Sequence, residues 1–288
     1  MLYQIKYDAT WVNVAFALIS TRQSNPAHTI KTSSEYCLNT ATALYLVCVY
    51  LKDPKLYPTD DMEKIAIALL RTNKYTLKQK TDALVTACNS SNTTVALAIL
   101  HTIDGCINND DKDYALWHAC SNKMTDVAMD LITKHNAICD KMVPNPFPCT
   151  PLIMACINRM SEVALALIYT GKSNIKYYNP TRPSTATALI WACKNDWGEI
   201  ALAMLDSKEP CSHEYVDADG YTALVYACKS TNPAMAEVAK RLILLTKYGY
   251  GYYFAHKNKS TELCELFLDG DKQLTNEQLA QLNVAIDT

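Results

Sequence analysis

A short phrase that ends in a small residue and a cysteine recurs six times in this chain of 288 residues. It is clearest at Thr187–Cys193, which spells TALIWAC, and successive copies start 40, 32, 36, 37 and 35 residues apart. The six starting residues are Thr42, Asp82, Tyr114, Thr150, Thr187 and Thr222. A period of roughly 20 to 50 residues is typical of repeat proteins, so the chain is predicted to stack similar units along one direction.

A second phrase, which opens with valine or isoleucine followed by alanine, comes after each copy of the first. Its copies start at Val14, Ile65, Val95, Val127, Val163, Ile200 and Val238. The offset between the two phrases is 13 residues in four units, and residues 51–60 are an insertion in another unit. That insertion is either a dedicated contact loop or a tolerated surface excursion. The apolar positions of both phrases share one helical face, so each unit is predicted to be two short helices that are stable only when stacked.

The cysteines of the first phrase are predicted to be small core residues where neighbouring helices approach closely. Successive units in such a stack lie about 10 Å apart, whereas disulfide Cα atoms lie within about 7 Å. Six of the twelve cysteines hold this position, and the other six form no Cys-x-x-Cys pair. The sequence therefore predicts reduced thiols in a reducing compartment, with no disulfide and no bound metal.

The two phrases together resemble the ankyrin repeat. That family has a Thr-Pro-Leu-His-x-Ala-Ala phrase, a Gly-His turn, and a second helix opened by valine or isoleucine at the same offset. The best matches here are Thr150–Leu152 and Asp219–Leu224, while pairs such as Lys123-Met124 replace the Gly-His turn. The phrases TALIWACKN and EVALALI further resemble the ankyrin repeats of giant DNA viruses.

The resemblance implies an all-α, ankyrin-type helix-turn-helix solenoid with short hairpin or loop fingers. It covers residues 1–247, which would hold about seven repeats, the first lacking its finger. The linkers Asn108–Asp111 and Asp217–Gly220 are rich in turn-forming residues and are predicted to be turns. Residues 248–288 are predicted to form a tyrosine-rich link and two further helices. This segment is either a C-terminal helical cap or a docking patch made by its four tyrosines.

The net charge, the apolar runs and the motifs of the chain limit the classes of function that we expect. The net charge is −2 and no apolar run approaches 18 residues, so neither nucleic acid nor a membrane is an expected partner. The N-terminus lacks the apolar core of a signal peptide, and the chain is expected in the cytoplasm. The sequence contains no glycine-rich phosphate loop, His-Glu-x-x-His or Gly-x-Ser-x-Gly motif. We therefore expect no catalysis, no cofactor and no small-molecule substrate.

In ankyrin proteins, partners are held by the finger tips and by the exposed face of the first helix. Among the positions carried over by repeat position, nine are the candidate contact residues: Asp110, Asp111, Asp113, Phe147, Ile157, Lys194, Asn195, Tyr221 and Lys229. The three aspartates form either an acidic finger tip for a basic partner or a solvated turn. Phe147, Ile157 and Tyr221 form an apolar anchor for a partner. Alternatively, Phe147 packs against a neighbouring finger and is not a contact residue. Trp117 and Trp191 are predicted to pack against adjacent repeats.

The function that these features favour is binding of a protein partner of unknown identity through the concave face and fingers. If the likeness to giant viruses holds, the chain is an adaptor or effector that engages a host or viral protein. The alternatives are a structural component of a virus particle or other assembly and, last, an enzyme whose site lies in the insertion or the tail.

Overall fold

The computed structural model describes residues 43–51, 59–103, 107–137, 149–171, 173–175, 177, 186–207, 213 and 215–245. These residues form α-helices joined by turns, and they contain no β-strand. The chain divides into two compact units, unit 1 being residues 1–141 and unit 2 residues 142–288. The predicted boundary between 247 and 248 remains a prediction, since residues 246–288 lie outside the described ranges.

The described helices alternate between the two phrases of the repeat. Unit 1 contains α1 (Ala43–Tyr50), α2 (Thr59–Arg71), α3 (Leu77–Asn89), α4 (Thr93–His101), α5 (Asn109–Ser121) and α6 (Thr125–Thr133). Unit 2 contains α7 (Pro151–Ile157), α8 (Ser161–Tyr169), α9 (Ala188–Lys194), α10 (Gly198–Leu205), α11 (Ala223–Lys229) and α12 (Pro233–Leu245). In each unit the odd-numbered helices come from the first phrase and the even-numbered helices from the second phrase.

Each unit is built of two layers of helices. Within a repeat the two helices pack on each other, as α3 does on α4 and α9 does on α10. Between repeats, first helices pack on first helices (α1 on α3 on α5, and α7 on α9 on α11). Second helices pack in the same order (α2 on α4 on α6, and α8 on α10 on α12). This arrangement confirms the predicted helix-turn-helix stacking, and the fold is all-α and of the ankyrin type.

The core of each unit lies between these two layers. The leucine and the cysteine of the first phrase are buried in every described copy, and so is the residue before the cysteine, which is Val47 in the first copy and alanine in the others. The leading residue and the alanine of the second phrase are buried as well. All seven cysteines in the described residues are present as buried thiols. Burial raises the pKa of the Cys48 and Cys156 thiols to about 12, because an ionised sulfur would be poorly solvated there. The role predicted for the six cysteines of the first phrase, as small core residues, is confirmed, and Cys149 is buried as well.

Threonine side chains fix the starts of the first helices in unit 2. The hydroxyls of Thr150, Thr187 and Thr222 accept hydrogen bonds from the backbone N–H groups three residues later, at 3.3, 3.3 and 3.4 Å. Such caps satisfy donors that a helix leaves without partners in its first turn. The starting threonine of the phrase is therefore the residue that begins each of these helices.

In unit 1 two of the first helices, α3 and α5, begin earlier than the phrase. Asn108 caps α5, because its side-chain oxygen accepts from the Asp111 N–H at 2.8 Å. The prediction that Asn108–Asp111 is a turn is therefore wrong beyond Asn108, since the next three residues form the first turn of α5. Thr76 and Gln79 cap α3 in the same way, through a reciprocal pair of bonds at 3.3 and 3.0 Å.

The turns of the pairs α5–α6, α7–α8 and α9–α10 are tight and do not use the glycine of the family pattern. Lys123, Arg159 and Asp196 adopt positive φ values of 57°, 59° and 64°. The next residue in each turn donates its N–H to the alanine carbonyl five residues earlier, at 2.9 Å in all three. This hydrogen bond satisfies a carbonyl at the helix end, as in other helix C-caps, and it offsets the cost of the left-handed conformation.

Three sequence features lie wholly or partly outside the described residues: the unit at Val14, the tail from residue 248, and the insertion apart from residues 51, 59 and 60. Thr59 and Asp60 belong to the first turn of α2. In the part of the chain that is described, no helix has the length and apolarity needed to span a bilayer.

Candidate functional site

The finger that precedes α11 is described over residues 215–222. The N–H of Asp217 donates to the Tyr221 carbonyl, and the N–H of Gly220 donates to the Asp217 carbonyl, both at 3.0 Å. Gly220 has φ +76°, a conformation that side-chain-bearing residues rarely adopt. The carboxylate of Asp217 accepts from the N–H groups of Asp219 and Tyr221, each at 3.0 Å. The predicted turn at Asp217–Gly220 is confirmed.

Asp217 also ties this finger to the two first helices beside it. Its second carboxylate oxygen accepts from the Tyr226 hydroxyl of α11 at 2.6 Å and lies 3.6 Å from the Lys194 ammonium of α9. Burial alone would raise the pKa of Asp217. The hydrogen bonds from Tyr226, Tyr221 and Asp219, together with the Lys194 charge, outweigh burial and hold that pKa below its usual value. Asp217 is therefore a buried, ionised hub that fixes the finger.

Aromatic rings and lysines lie together around this hub. The Lys194 ammonium is 5.5 Å from the centre of the Trp191 ring and 5.3 Å from that of Tyr226. The Lys229 ammonium is 4.4 Å from the centre of the Tyr221 ring and 6.0 Å from that of Tyr226. The two tyrosine rings meet edge to face at 5.7 Å. We call these five residues the Lys–Tyr face: Trp191, Lys194, Tyr221, Tyr226 and Lys229.

The two lysines of the face are held at the ends of neighbouring helices. Lys194 is the last residue of α9 and Lys229 the last residue of α11. The pKa of Lys194 lies above its usual value, chiefly because of its hydrogen bond with Tyr226, with Asp219 and Asp217 adding to the effect. Since a helix C-terminus carries partial negative charge, both positions also suit a cation. The candidate residues Lys194, Tyr221 and Lys229 are thus brought together in one cluster.

Exposed apolar side chains accompany the cluster in unit 2. Ile157 ends α7 at the repeat position that Lys194 and Lys229 hold on α9 and α11, and 38% of its surface is exposed. On the finger itself, Tyr215 is 39% exposed and Val216 is 44% exposed. Phe147, the apolar residue predicted to accompany Ile157 and Tyr221, lies outside the described residues.

Asn195 makes a hydrogen bond between adjacent repeats of the stack. Its side-chain amide donates to the carbonyl of Cys156 at 2.7 Å, which joins the end of α9 to the end of α7. In unit 1 the same repeat position makes the same link, from Asn122 to the Cys88 carbonyl at 2.7 Å and from Ser90 to the Cys48 carbonyl at 2.8 Å. The predicted role of Asn195 in partner contact therefore competes with a hydrogen bond that aligns adjacent repeats.

The three aspartates of α5 do not form an exposed acidic tip. Asp113 is buried, with 4% of its surface exposed. Asp111 accepts hydrogen bonds from Lys78 at 3.1 Å and from Asn108 at 2.6 Å. Asp110 alone of the three is exposed. The finger-tip interpretation was wrong because carboxylates are favoured in the first turn of a helix, where they meet the positive end of its dipole.

Sequence reasoning missed Tyr226 and Asp217, and it assigned Trp191 to packing alone. Trp191 and Tyr226 occupy the same position in the first helix, four residues after the starting threonine. That position is half-buried in the five repeats from α3 to α11, where it holds Thr86, His118, Met154, Trp191 and Tyr226. The positions on either side of it hold only apolar residues, which are buried except for the half-buried Val85, so the changing residue type was the available signal.

The described residues contain no group of three or more histidine, cysteine or acidic side chains that could hold a metal ion. Unit 2 thus carries a cluster of rings and cations together with exposed apolar side chains.

The stacked helix pairs define the class as a helical-repeat protein. Residues 152–250 match the family model of ankyrin repeats, in three copies, so ankyrin repeats are present in that part of the chain. Ankyrin repeats are generally protein–protein interaction modules and typically non-catalytic. No curated protein matches this sequence as a relative.

Two solved structures are similar in fold. One is the crystal structure of the human ASB11 ankyrin repeat domain, with 17% identity and a TM-score of 0.49 over 83% of this chain and 98% of that chain. The other is a chain in the structure of Bd0816, a predatory endopeptidase from Bdellovibrio bacteriovorus, in complex with the immunity protein Bd3460. It has 21% identity and a TM-score of 0.43 over 69% of this chain and 97% of that chain.

Proposed function

We propose that this chain is a non-catalytic protein-interaction module that binds a protein partner through the Lys–Tyr face and the finger before α11. The observation that carries the proposal is the clustering of Trp191, Tyr221 and Tyr226 with two lysines on neighbouring first helices. Aromatic residues are enriched at protein interfaces because they present large, rigid contact areas. The ankyrin match at residues 152–250, which includes this face, supports the same function.

The face is organised before any partner arrives. Asp217 holds the finger through two N–H groups, one hydroxyl and one ammonium, so its buried charge is fully compensated. A surface whose side chains are already fixed loses little conformational entropy on binding. Exposed Val216 and Ile157 then supply apolar area that a partner can cover.

The proposed viral origin and cellular location of the protein rest on the sequence. The resemblance of the phrases TALIWACKN and EVALALI to ankyrin repeats of giant DNA viruses supports a viral adaptor or effector that engages a host or viral protein. The buried thiols support a reducing compartment such as the cytoplasm. The alternative, a structural component of a virus particle or other assembly, predicts a high copy number in purified particles.

Site-specific photo-crosslinking tests the location of the interface. A photoreactive amino acid at Val216 or at Ile157 should capture the same protein from cells that produce the chain. The matched control is Tyr169 at the end of α8, which is 76% exposed and lies on a second helix. A product that forms from Tyr169 but from neither Val216 nor Ile157 would place the interface elsewhere.

A further inference from the structure

The C-terminal end of α6, the last helix described in unit 1, is tied to α5 by a buried ammonium group. Lys112 of α5 has only 7% of its surface exposed. Its ammonium donates at 3.1 Å to the carbonyl of His135, which lies two residues beyond the end of α6. The carbonyl end of a helix carries partial negative charge, which helps to stabilise a cation there. The tie between α5 and α6 therefore depends on the charges around His135.

Backbone hydrogen bonds close the same end of α6 around His135. The N–H of His135 donates to the Asp130 carbonyl at 3.3 Å, and the N–H of Ala137 donates to the Leu131 carbonyl at 3.0 Å. Asn136 lies between them with φ +54°, the left-handed conformation that commonly ends a helix. Because His135 is half-buried in this cap, its imidazole ring is fully solvated only when the cap opens.

The groups that act on the His135 ring are mostly positive or become positive in acid. They are His101 of α4, Lys112 of α5, and Lys134 and Asp130 at the end of α6. The Asp130 carboxylate is already engaged, since it lies 2.6 Å from the Lys134 ammonium and 3.7 Å from Nε2 of His101. Burial, together with the charges of Lys112, Lys134 and His101, outweighs Asp130 and lowers the pKa of His135. The closed cap therefore favours a neutral imidazole.

We propose that the end of α6 is an acid-sensitive cap, which opens when the His135 imidazole takes up a proton beside the Lys112 and Lys134 ammonium groups. Opening separates these like charges and hydrates the ring. Because the pKa of His135 is lowered in the closed cap, its contribution to the stability of the cap is fully present above the ordinary histidine value of about 6.5. That contribution is lost as the pH falls through the lowered value. This inference concerns unit 1 and does not depend on the interaction face of unit 2.

Amide hydrogen exchange of the full chain, followed by NMR and corrected for the intrinsic effect of pH on exchange, tests the opening. Between about pH 7 and about pH 5, where histidine changes charge, the protection of the Ala137 amide should be lost. The control amide is that of Met160, which closes the end of α7 through a 2.9 Å hydrogen bond to the Ala155 carbonyl and should stay protected. His135→Gln, whose side chain takes up no proton, should keep the Ala137 amide protected at both pH values.

Titration of the His135 ring protons by NMR tests the cause of the opening. These signals are assigned by their loss in His135→Gln, and they should titrate below the ordinary histidine value. Lys112→Met removes one of the facing charges, so the midpoint should rise toward that value. A His135 ring that titrates at or above the ordinary value would overturn the inference. So would an Ala137 amide whose protection at acid pH is kept in the wild type, or is lost equally in His135→Gln.

Discussion

Gly198 is the position where one added methyl group should damage the stack most clearly. It opens α10, and a Cβ placed on it would lie 2.5 Å from the Ala234 Cβ and 2.8 Å from the Ala234 carbonyl carbon of α12. Real Cβ atoms essentially never approach another heavy atom within 3.0 Å. Because one of the two neighbours is backbone, no side-chain rotation relieves the contact, and α12 must move away from α10.

The expected change in the free energy of unfolding for Gly198→Ala follows from two opposing effects. Forcing an extra methyl group into a packed contact destabilises a protein by about 1–3 kcal/mol. Alanine is a better helix former than glycine by up to about 1 kcal/mol, and this gain is smaller at the first residue of a helix. We therefore expect Gly198→Ala to lower the free energy of unfolding by about 1–2 kcal/mol.

Urea unfolding followed by circular dichroism at 222 nm measures this change. The midpoint should fall while the dependence on urea stays the same, since the surface exposed on unfolding is unchanged. Glu199→Ala is the matched control, because Glu199 is the next residue of α10 and is exposed, and it should alter stability by no more than about 0.5 kcal/mol. A Gly198→Ala midpoint at or above the wild-type value would refute the close approach of α10 and α12.

Two further predictions concern polar groups. Asn122→Ala and Asn195→Ala each remove a 2.7 Å hydrogen bond to a carbonyl of the preceding repeat, so each should lower the free energy of unfolding by about 1–2 kcal/mol in the same urea assay. Because the folded-state pKa of Asp217 is below its usual value, this group stabilises the fold above the ordinary aspartate pKa, and that stability is lost as pH falls through the lowered value. Asp217→Asn should therefore reduce the loss of thermal stability between pH 5 and pH 2, and an unchanged acid dependence would contradict the hub role.

The sequence predicted the pairing of helices well because both phrases carry their own signals. Leucine, alanine and cysteine recur on one helical face, and Thr187 and Thr222 are residues that commonly cap a helix. The early starts of α3 and α5 were missed because their caps, Thr76 and Asn108, lie six residues before the aligned phrase. Repeat alignment finds what the units share, and these extensions are specific to the repeats of α3 and α5.

The burial of two lysines could not be predicted from the repeat pattern. Lys80 and Lys112 hold the same place in α3 and α5, two residues before the aligned phrase, where a charged side chain indicates solvent. In the structure both are buried, and their ammonium groups donate to the carbonyls of Thr102 at 2.5 Å and His135 at 3.1 Å, at the ends of the paired second helices. Such bonds join residues 22 and 23 positions apart, so they depend on how the two helices pack.

The Lys–Tyr face was predicted only in part for the same reason. Lys194, Tyr221 and Lys229 were identified from repeat positions that ankyrin proteins use. Tyr226 and Asp217 join them through side-chain contacts between a finger and two helices. Those contacts depend on the register of α9 against α11, which no single phrase encodes.

The central claim is that paired helices stack with their cysteine thiols inside, and residue-resolved alkylation tests it most directly. The folded protein is treated with a thiol reagent at pH 8, and each labelled cysteine is identified by mass spectrometry with and without urea. Because the pKa of Cys48 and Cys156 is raised to about 12 and the thiols are buried, the cysteines at 48, 88, 120, 149, 156, 193 and 228 should stay unlabelled until the protein unfolds. Labelling of these cysteines in the folded protein as fast as in urea would contradict the stack.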